Sequence, residues 1–186
     1  MGNILVIGSY NRDTVLTLAR FPEAGETLTA AGMAHFHGGK GSNQAVAAAR
    51  AGGQVSLIAA IGDDAPGEAA CALWAEEGID AAALQQMGAS TGAAMILVDA
   101  AGENQIIIIP GANAVVNAAQ VTAAINAIPD VAIVLTQGEV PADAVAAALA
   151  AGRACGATTI LNPAPVQEYP DEVWALVDIA IPNEHE

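Results

Sequence analysis

The chain of 186 residues carries 5 Lys+Arg against 20 Asp+Glu, a formal net charge of −15 without any basic cluster. Nucleic acid and anionic membrane surfaces are therefore excluded as expected partners, because both are bound by grouped Lys and Arg that neutralise phosphates. With 54% hydrophobic and 13% charged residues, the chain is too apolar for a disordered segment and can bury the core of one compact domain.

Short β-branched runs alternate with longer Ala-rich stretches, the sequence form of a parallel sheet with crossover helices. In chain order the pattern predicts a strand at Ile4–Gly8, a helix at Ser42–Ala51, a strand at Val55–Ala60 and a helix at Gly67–Glu77. A helix at Ala118–Ile128, a strand at Val131–Thr136, a helix at Ala142–Ala154 and strands at Thr158–Leu161 and Asp178–Ile181 complete an α/β layered fold. Two regions interrupt this order. Thr14 to Phe36 and Thr91 to Pro110 are rich in Thr, Val and Ile with Gly and Pro turns, and Gly102 lies between two strand-like runs as in a hairpin. They predict a small antiparallel sheet that folds as a lid over the C-terminal edge of the parallel strands, where open α/β sheets bind ligands. The sequence stops at Asn183-Glu184-His185-Glu186, directly after a strand-like run. A domain seldom stops at the top of a central strand, so further chain is expected.

Cys71 and Cys155 stand far apart in Ala-rich surroundings and form neither a disulfide framework nor a CxxC pair, which suits a reducing compartment. No basic region precedes the apolar run Ile4 to Ile7, and no apolar run approaches the roughly 20 residues of a spanning helix. The expected location is the cytoplasm.

The most informative segment is His37-Gly38-Gly39-Lys40-Gly41-Ser42-Asn43-Gln44, a glycine cluster that opens a helix and holds the single lysine of the chain. Glycines let the backbone approach a ligand, and a helix N-terminus offers unpaired N–H groups to an oxygen-rich or anionic guest. A tight loop with Ser42 as N-cap is the alternative. The segment is not a Walker A loop, since Gly41 follows Lys40, and not a dinucleotide fingerprint, since Gln44 occupies the third glycine position. After the first strand, Asn11 and Asp13 fall on one side if the chain remains extended, and an amide beside a carboxylate suits vicinal hydroxyls. An Asx-turn is the competing reading. Glu139 follows the Val131–Thr136 run and either completes a ring of hydroxyl acceptors or is a solvated carboxylate before the Pro141 helix start. Asn183 and Glu186 are spaced to face one pocket, where a carboxylate could hold Mg²⁺ through water. His35 and His37 have the spacing of a metal pair but lack a third ligand, Asp63-Asp64 read as loop carboxylates before a helix, and Trp74 and Trp174 as packing residues. Three His and two Cys give no Ser-His-Asp or Cys-His order.

The ordered segments Gly8-Ser9-x-Asn11-x-Asp13, Phe21-Pro22-x-x-Gly25-Glu26-Thr27, Gly38-Gly39-Lys40-Gly41-x-Asn43-Gln44-Ala45, Gly62-Asp63-Asp64, Gly111-Ala112-Asn113, Asn162-Pro163-Ala164-Pro165 and Pro182-Asn183-Glu184-x-Glu186 resemble the PfkB, or ribokinase-like, family of carbohydrate kinases. The resemblance extends along the whole chain. It implies a ribokinase-like, Rossmann-type layered α/β fold in which residues 1–186 form an incomplete domain, with lid segments at about 14–36 and 91–110 and the C-terminal part missing. It further implies that Asn11, Asp13, Gly39, Lys40, Asn43 and Glu139 hold the sugar, and that Asn183 and Glu186 serve Mg²⁺ and phosphate, with Glu186 the metal-associated carboxylate. The implied activity is ATP-dependent phosphorylation of a sugar primary hydroxyl, D-ribose first, with Mg²⁺ and possible monovalent-cation activation, in a homodimer paired through the lid. The family's general base stands in a later Gly-x-Gly-Asp segment, so no catalytic residue is expected within this chain. Fructose or a nucleoside as substrate, a catalytically inactive sugar-binding or dimerisation module, and a plain nucleotide-fold scaffold are the alternatives.

Overall fold

The structure is a computed structural model that describes residues 2–85 and 88–186. In chain order its elements are β1 (Asn3–Gly8), β2 (Asn11–Thr17), β3 (Gly32–Gly38), α1 (Lys40–Arg50), β4 (Val55–Ile61), α2 (Ala65–Glu76), β5 (Asp80–Gln85), β6 (Gly92–Val98) and β7 (Asn104–Ile109). After a 3-10 turn at Gly111–Val115 come α3 (Ala118–Asn126), β8 (Val131–Gln137), α4 (Ala142–Ala154), β9 (Thr158–Asn162), α5 (Asp171–Trp174) and β10 (Ile179–Ala180).

Successive side chains of β1 point to opposite faces, yet Leu5, Val6 and Ile7 are all fully buried, so both faces of the sheet around it must be covered. Six parallel strands align in the order β10-β9-β8-β1-β4-β5. On one face Val6, Leu57 and Ala59 pack with Ala45 of α1 and Ala70 and Trp74 of α2. On the other, Leu5, Ile7, Ile58 and Ala60 pack with Val121 and Ile125 of α3 and with Ala144, Val145, Ala148 and Leu149 of α4. The chain builds β4 and β5 on one side of β1, then crosses to build β8, β9 and β10 on the other. The reversal at β1 makes a topological switch point, with a crevice outside the C-terminal ends of β1 and β8.

The second sheet has four strands in the order β3-β2-β6-β7. Its central pair, β2 and β6, is parallel, so the predicted antiparallel sheet is corrected to a mixed one. Both strands grow from the C-terminal edge of the large sheet, β2 after β1 and β6 after β5, and must leave it in the same direction. The antiparallel pairs are the returns, β3 and β7. Pairing also starts three residues before Thr14, at Asn11 opposite Gly38. The hairpin turn between β6 and β7 is closed by the Asp99 side chain, which accepts from Ala101 N–H at 2.8 Å and Glu103 N–H at 3.0 Å, with Gly102 at φ 83°.

Three other expectations change. β5, Asp80-Ala-Ala-Ala-Leu-Gln, is a strand where the composition predicts none, because alanine carries no β signature and only the pairing with β4 decides its state. The last strand is shorter than predicted, two residues at Ile179–Ala180, paired with β9. Trp174 is 42% exposed and meets the Tyr169 ring edge-on, whereas Trp74 is fully buried. Among the described residues no helix is long and apolar enough to cross a membrane. Cys71 and Cys155 are free.

Candidate functional site

The crevice at the switch point is walled by the root of β2, the start of α1 and the loop after β8. Extended backbone at Asn11–Thr17 puts Asn11 and Asp13 on the same face of the small sheet, which replaces the Asx-turn alternative. Gly38 lies opposite Asn11 and beside Asp13, and a Cβ there would stand 2.3 Å from Asp13 Oδ2, so a larger residue would displace the carboxylate.

Gly39 is the N-cap of α1, not Ser42. At φ 87° and ψ 128° it turns the chain into the helix, and a Cβ would come within 2.7 Å of the Tyr10 Cα. Ser42 is buried and accepts from Trp74 Nε1 at 2.9 Å. The helix start places Lys40 in the crevice with Asn43 one turn later. Its N–H groups are not free for a ligand as predicted: Lys40 N–H donates to Glu139 Oε2 at 2.8 Å, Gly41 N–H to Ser9 Oγ at 3.4 Å and Ser42 N–H to the Ser9 carbonyl at 2.9 Å. Glu139 therefore has one oxygen committed, to Lys40 N–H and to the Ser9 hydroxyl that also donates to it. The carboxylate is fixed at the helix N-terminus, where its charge is favoured, and is not the solvated loop group of the alternative reading.

A cavity of about 400 Å³ is lined by Asn11, Asp13, Gly39, Lys40, Asn43, Glu139 and Glu186, with Ala94, Ile96, Ile106, Ile108 and Pro165 as its apolar wall. All six predicted sugar-site residues thus meet in one space. A smaller cavity of about 280 Å³ adjoins it and shares Asn11, Ile108, Glu139 and Pro165. The Asp13 carboxyl is pushed above the ordinary carboxylate range, first by burial and then by the Glu139 carboxylate. Three carboxylates and one ammonium in a half-apolar pocket suit a neutral, polyhydroxylated molecule better than an anion.

Asn183 does not line this cavity. It folds back on Glu186, donating Nδ2–H to Oε1 at 3.0 Å and its backbone N–H to Oε2 at 2.9 Å, while Glu186 and His185 N–H donate to Asn183 Oδ1. Among the described residues no three His, Cys, Asp or Glu side chains gather as metal ligands. His35 and His37 share a face of β3 but engage Thr14 Oγ1 at 3.0 Å and the Tyr10 hydroxyl at 2.8 Å through their Nδ1 atoms. Asp64 caps α2, accepting Gly67 N–H at 3.0 Å, and its other oxygen takes the Thr91 N–H at 2.8 Å. Burial works against its charge, but these bonds and the Thr91 hydroxyl prevail and hold its pKa below the usual value.

Sequence reasoning did not assign roles to Ser9 or Asn113. Ser9 is fully buried against Glu139, and Asn113, on the 3-10 turn, is buried against Tyr10 and Asn11. Both stand in motifs quoted above, yet their partners lie 130 and 102 positions away.

Residues 1–186 match the pfkB family carbohydrate kinase profile. The chain belongs to the pfkB family of carbohydrate kinases. It is 39% identical over 184 residues to a ribokinase of Haemophilus influenzae, an alignment that covers 98% of this chain and 60% of that protein. The ribokinase of Thermotoga maritima superposes with a TM-score of 0.89 at 34% identity, over 100% of this chain and 60% of that one. The Arabidopsis thaliana ribokinase solved with ribose and ATP superposes with a TM-score of 0.84 at 28% identity, over 99% of this chain and 61% of that one. This pfkB-family chain thus spans about 60% of the length of the relatives it matches.

Proposed function

We propose that this chain supplies the sugar-binding portion of an ATP-dependent kinase that converts D-ribose to ribose 5-phosphate. The observation that carries the reading is the single cavity shared by Asn11 and Asp13 of the small sheet and by Lys40, Asn43 and Glu139 of the large one. Likeness to ribokinases, one of them solved with ribose and ATP, supports ribose over other sugars.

In this reading Asp13 and Glu139 accept hydrogen bonds from sugar hydroxyls, while Lys40 and Asn43 donate to sugar oxygens. Each charged hydrogen bond of this kind contributes about 1.5–3 kcal/mol and holds one hydroxyl in place for in-line attack. The small sheet acts as the lid, its Ala94, Ile96, Ile106 and Ile108 side chains covering the guest and excluding water. Glu186 would hold Mg²⁺. Its carboxylate lines the cavity with both oxygens already accepting from Asn183, which fits an ion held through water and completed by phosphate oxygens, not a cage of protein ligands. When bound, the ion would neutralise charge on the transferring phosphoryl group. The general base and most of the ATP pocket are assigned to the part of the relatives that this chain does not span, and no residue here is assigned to a monovalent cation. β7, the edge strand of the small sheet, with Ile107 and Ile109 exposed and outside the cavity lining, is the surface on which a second copy would pair. A cytoplasmic location accords with ATP as co-substrate.

Calorimetric titration with ribose tests the site. We expect saturable binding that Asp13→Ala or Lys40→Ala weakens by about 10-fold to 100-fold, the worth of one charged hydrogen bond. Absence of ribose binding by the unsubstituted protein would end the sugar reading. ADP release with ribose, measured on the protein extended to the length of its relatives, tests the kinase step separately.

A further inference from the structure

We infer that Asn113 is a positioning residue that turns the Asn11 amide so that its Nδ2 faces the cavity as a hydrogen-bond donor. The inference rests on the sugar-site reading and gives Asn11 a defined polarity within it.

The argument starts from backbone groups whose polarity is fixed. Tyr10 N–H can only donate and the Tyr10 carbonyl can only accept. Asn113 Oδ1 accepts from Tyr10 N–H at 3.1 Å, and Asn113 Nδ2 donates to the Tyr10 carbonyl at 2.9 Å. This two-bond ring admits one orientation of the Asn113 amide, because the flipped one would set donor against donor and acceptor against acceptor. The second Nδ2 hydrogen then goes to Asn11 Oδ1, at 2.9 Å. Asn113 is buried, so no water competes for these bonds. Gly92 keeps the space open: a Cβ there would stand 2.3 Å from Asn113 Nδ2 and 2.4 Å from Asn11 Oδ1.

Asn11 is thereby polarised. An unanchored Asn presents its carbonyl or its NH₂ with almost the same shape. Here the carbonyl is consumed by Asn113, and among the described residues no hydrogen bond engages Asn11 Nδ2 while the residue lines the cavity. The site needs that choice. Asp13 and Glu139 already supply acceptors, and a ring oxygen or a hydroxyl that gives its hydrogen to a carboxylate can only take a donor in return. A reversed Asn11 would add one more acceptor to a cavity already lined by carboxylates and oppose its lone pairs to those of the guest.

Two measurements decide the matter. Side-chain amide exchange, read by ¹⁵N NMR without sugar, should show Asn113 NH₂ protected by at least about 10-fold relative to Asn11 NH₂, as for a hydrogen-bonded group against one that lines a cavity without a bond. In Asn113→Asp the new acceptor should draw the Asn11 amide round, and Asn11 NH₂ should become the protected one. An Asn11 NH₂ that is protected already, or unchanged by Asn113→Asp, would overturn the proposal. With ribose, Asn113→Asp should weaken binding by about 10-fold to 100-fold, but by less than about twofold in an Asn11→Ala background, because the effect passes through Asn11. Equal losses in both backgrounds would also overturn it. If Asn113→Asp does not fold, Asn11→Asp keeps an acceptor for Asn113 Nδ2 while its second oxygen replaces the donor with a charged acceptor; it should reproduce the weakening, and undiminished ribose affinity would refute the inference. A protein that binds no ribose at all would sink the proposed function, and the exchange experiment would still decide the Asn11 orientation.

Discussion

The two sheets of this molecule are held in different ways. β4 is buried along its entire length between two helical layers. β7 is exposed along its entire length, and β3 is exposed from Gly32 to His37. The large sheet is stabilised by apolar burial on both faces. The small one is tied down at its root, by Asp64 to Thr91 and by Asn113 to Tyr10 and Asn11. The difference teaches where the candidate site residues stand: Asn11 and Asp13 lie at the start of β2, where the small sheet is tied to the large one, while β3 and β7 beyond it are exposed.

Substitution on either side of that divide should give the largest contrast. Trp74 is fully buried between α2, Tyr10 and the large sheet, and Trp74→Ala should cost about 3–5 kcal/mol in urea unfolding. Phe36 is also a large aromatic but is 53% exposed on the small sheet, and Phe36→Ala should change stability by no more than about 0.5 kcal/mol. Comparable losses at the two sites would mean that the small sheet is covered in solution, and a dimer by light scattering would then be the reason.

The root itself should show an intermediate effect. Asp64→Ala removes the α2 cap and the link to Thr91, at a cost of about 1–2 kcal/mol, whereas Asp63→Ala, exposed next to it, should be neutral. Because the folded Asp64 pKa is lowered, its contribution is fully present above the ordinary value of about 3.9 and disappears as pH falls through the depressed folded value. Amide exchange of β6 should accelerate in Asp64→Ala. Exchange unchanged along Gly92 to Val98 would show that the link does not restrain β6.

The same divide explains what the sequence made legible. Strands of the large sheet are readable at Ile4–Gly8 and Val55–Ala60 because burial on two faces demands continuous Val, Ile and Leu. β5 is not readable, since three alanines in a strand take their state from the β4 partner. The site residues are visible wherever the backbone itself imposes composition, as at Gly38, Gly39 and Gly41, each of which would clash if it carried a Cβ. Ser9 and Asn113 act by orienting another side chain across more than 100 positions of sequence, and residue type alone carries no trace of such a partner. The availability of the α1 N–H groups was equally hidden, because it depends on the Glu139 and Ser9 oxygens that fold onto them.

The finest test separates the two aspartates that the root and the cavity contain. Asp64 and Asp13 have opposite signs. The Asp13 pKa is raised, by burial first and by Glu139 second, so the folded protein holds that proton more tightly than the unfolded chain does. Ionising Asp13 therefore costs stability as pH rises through its raised folded value, while ribose binding at the proposed site would require the ionised acceptor and should weaken as pH falls through the same value. Removing the neighbouring charge with Glu139→Gln should move the Asp13 midpoint downward without returning it to the ordinary value, since burial, the larger cause, remains. A ¹³C carboxyl titration of Asp13 in both proteins reads this directly. An unmoved midpoint would show that the two carboxylates do not face each other across one space, and the small sheet would then stand further from α1 than the cavity geometry places it.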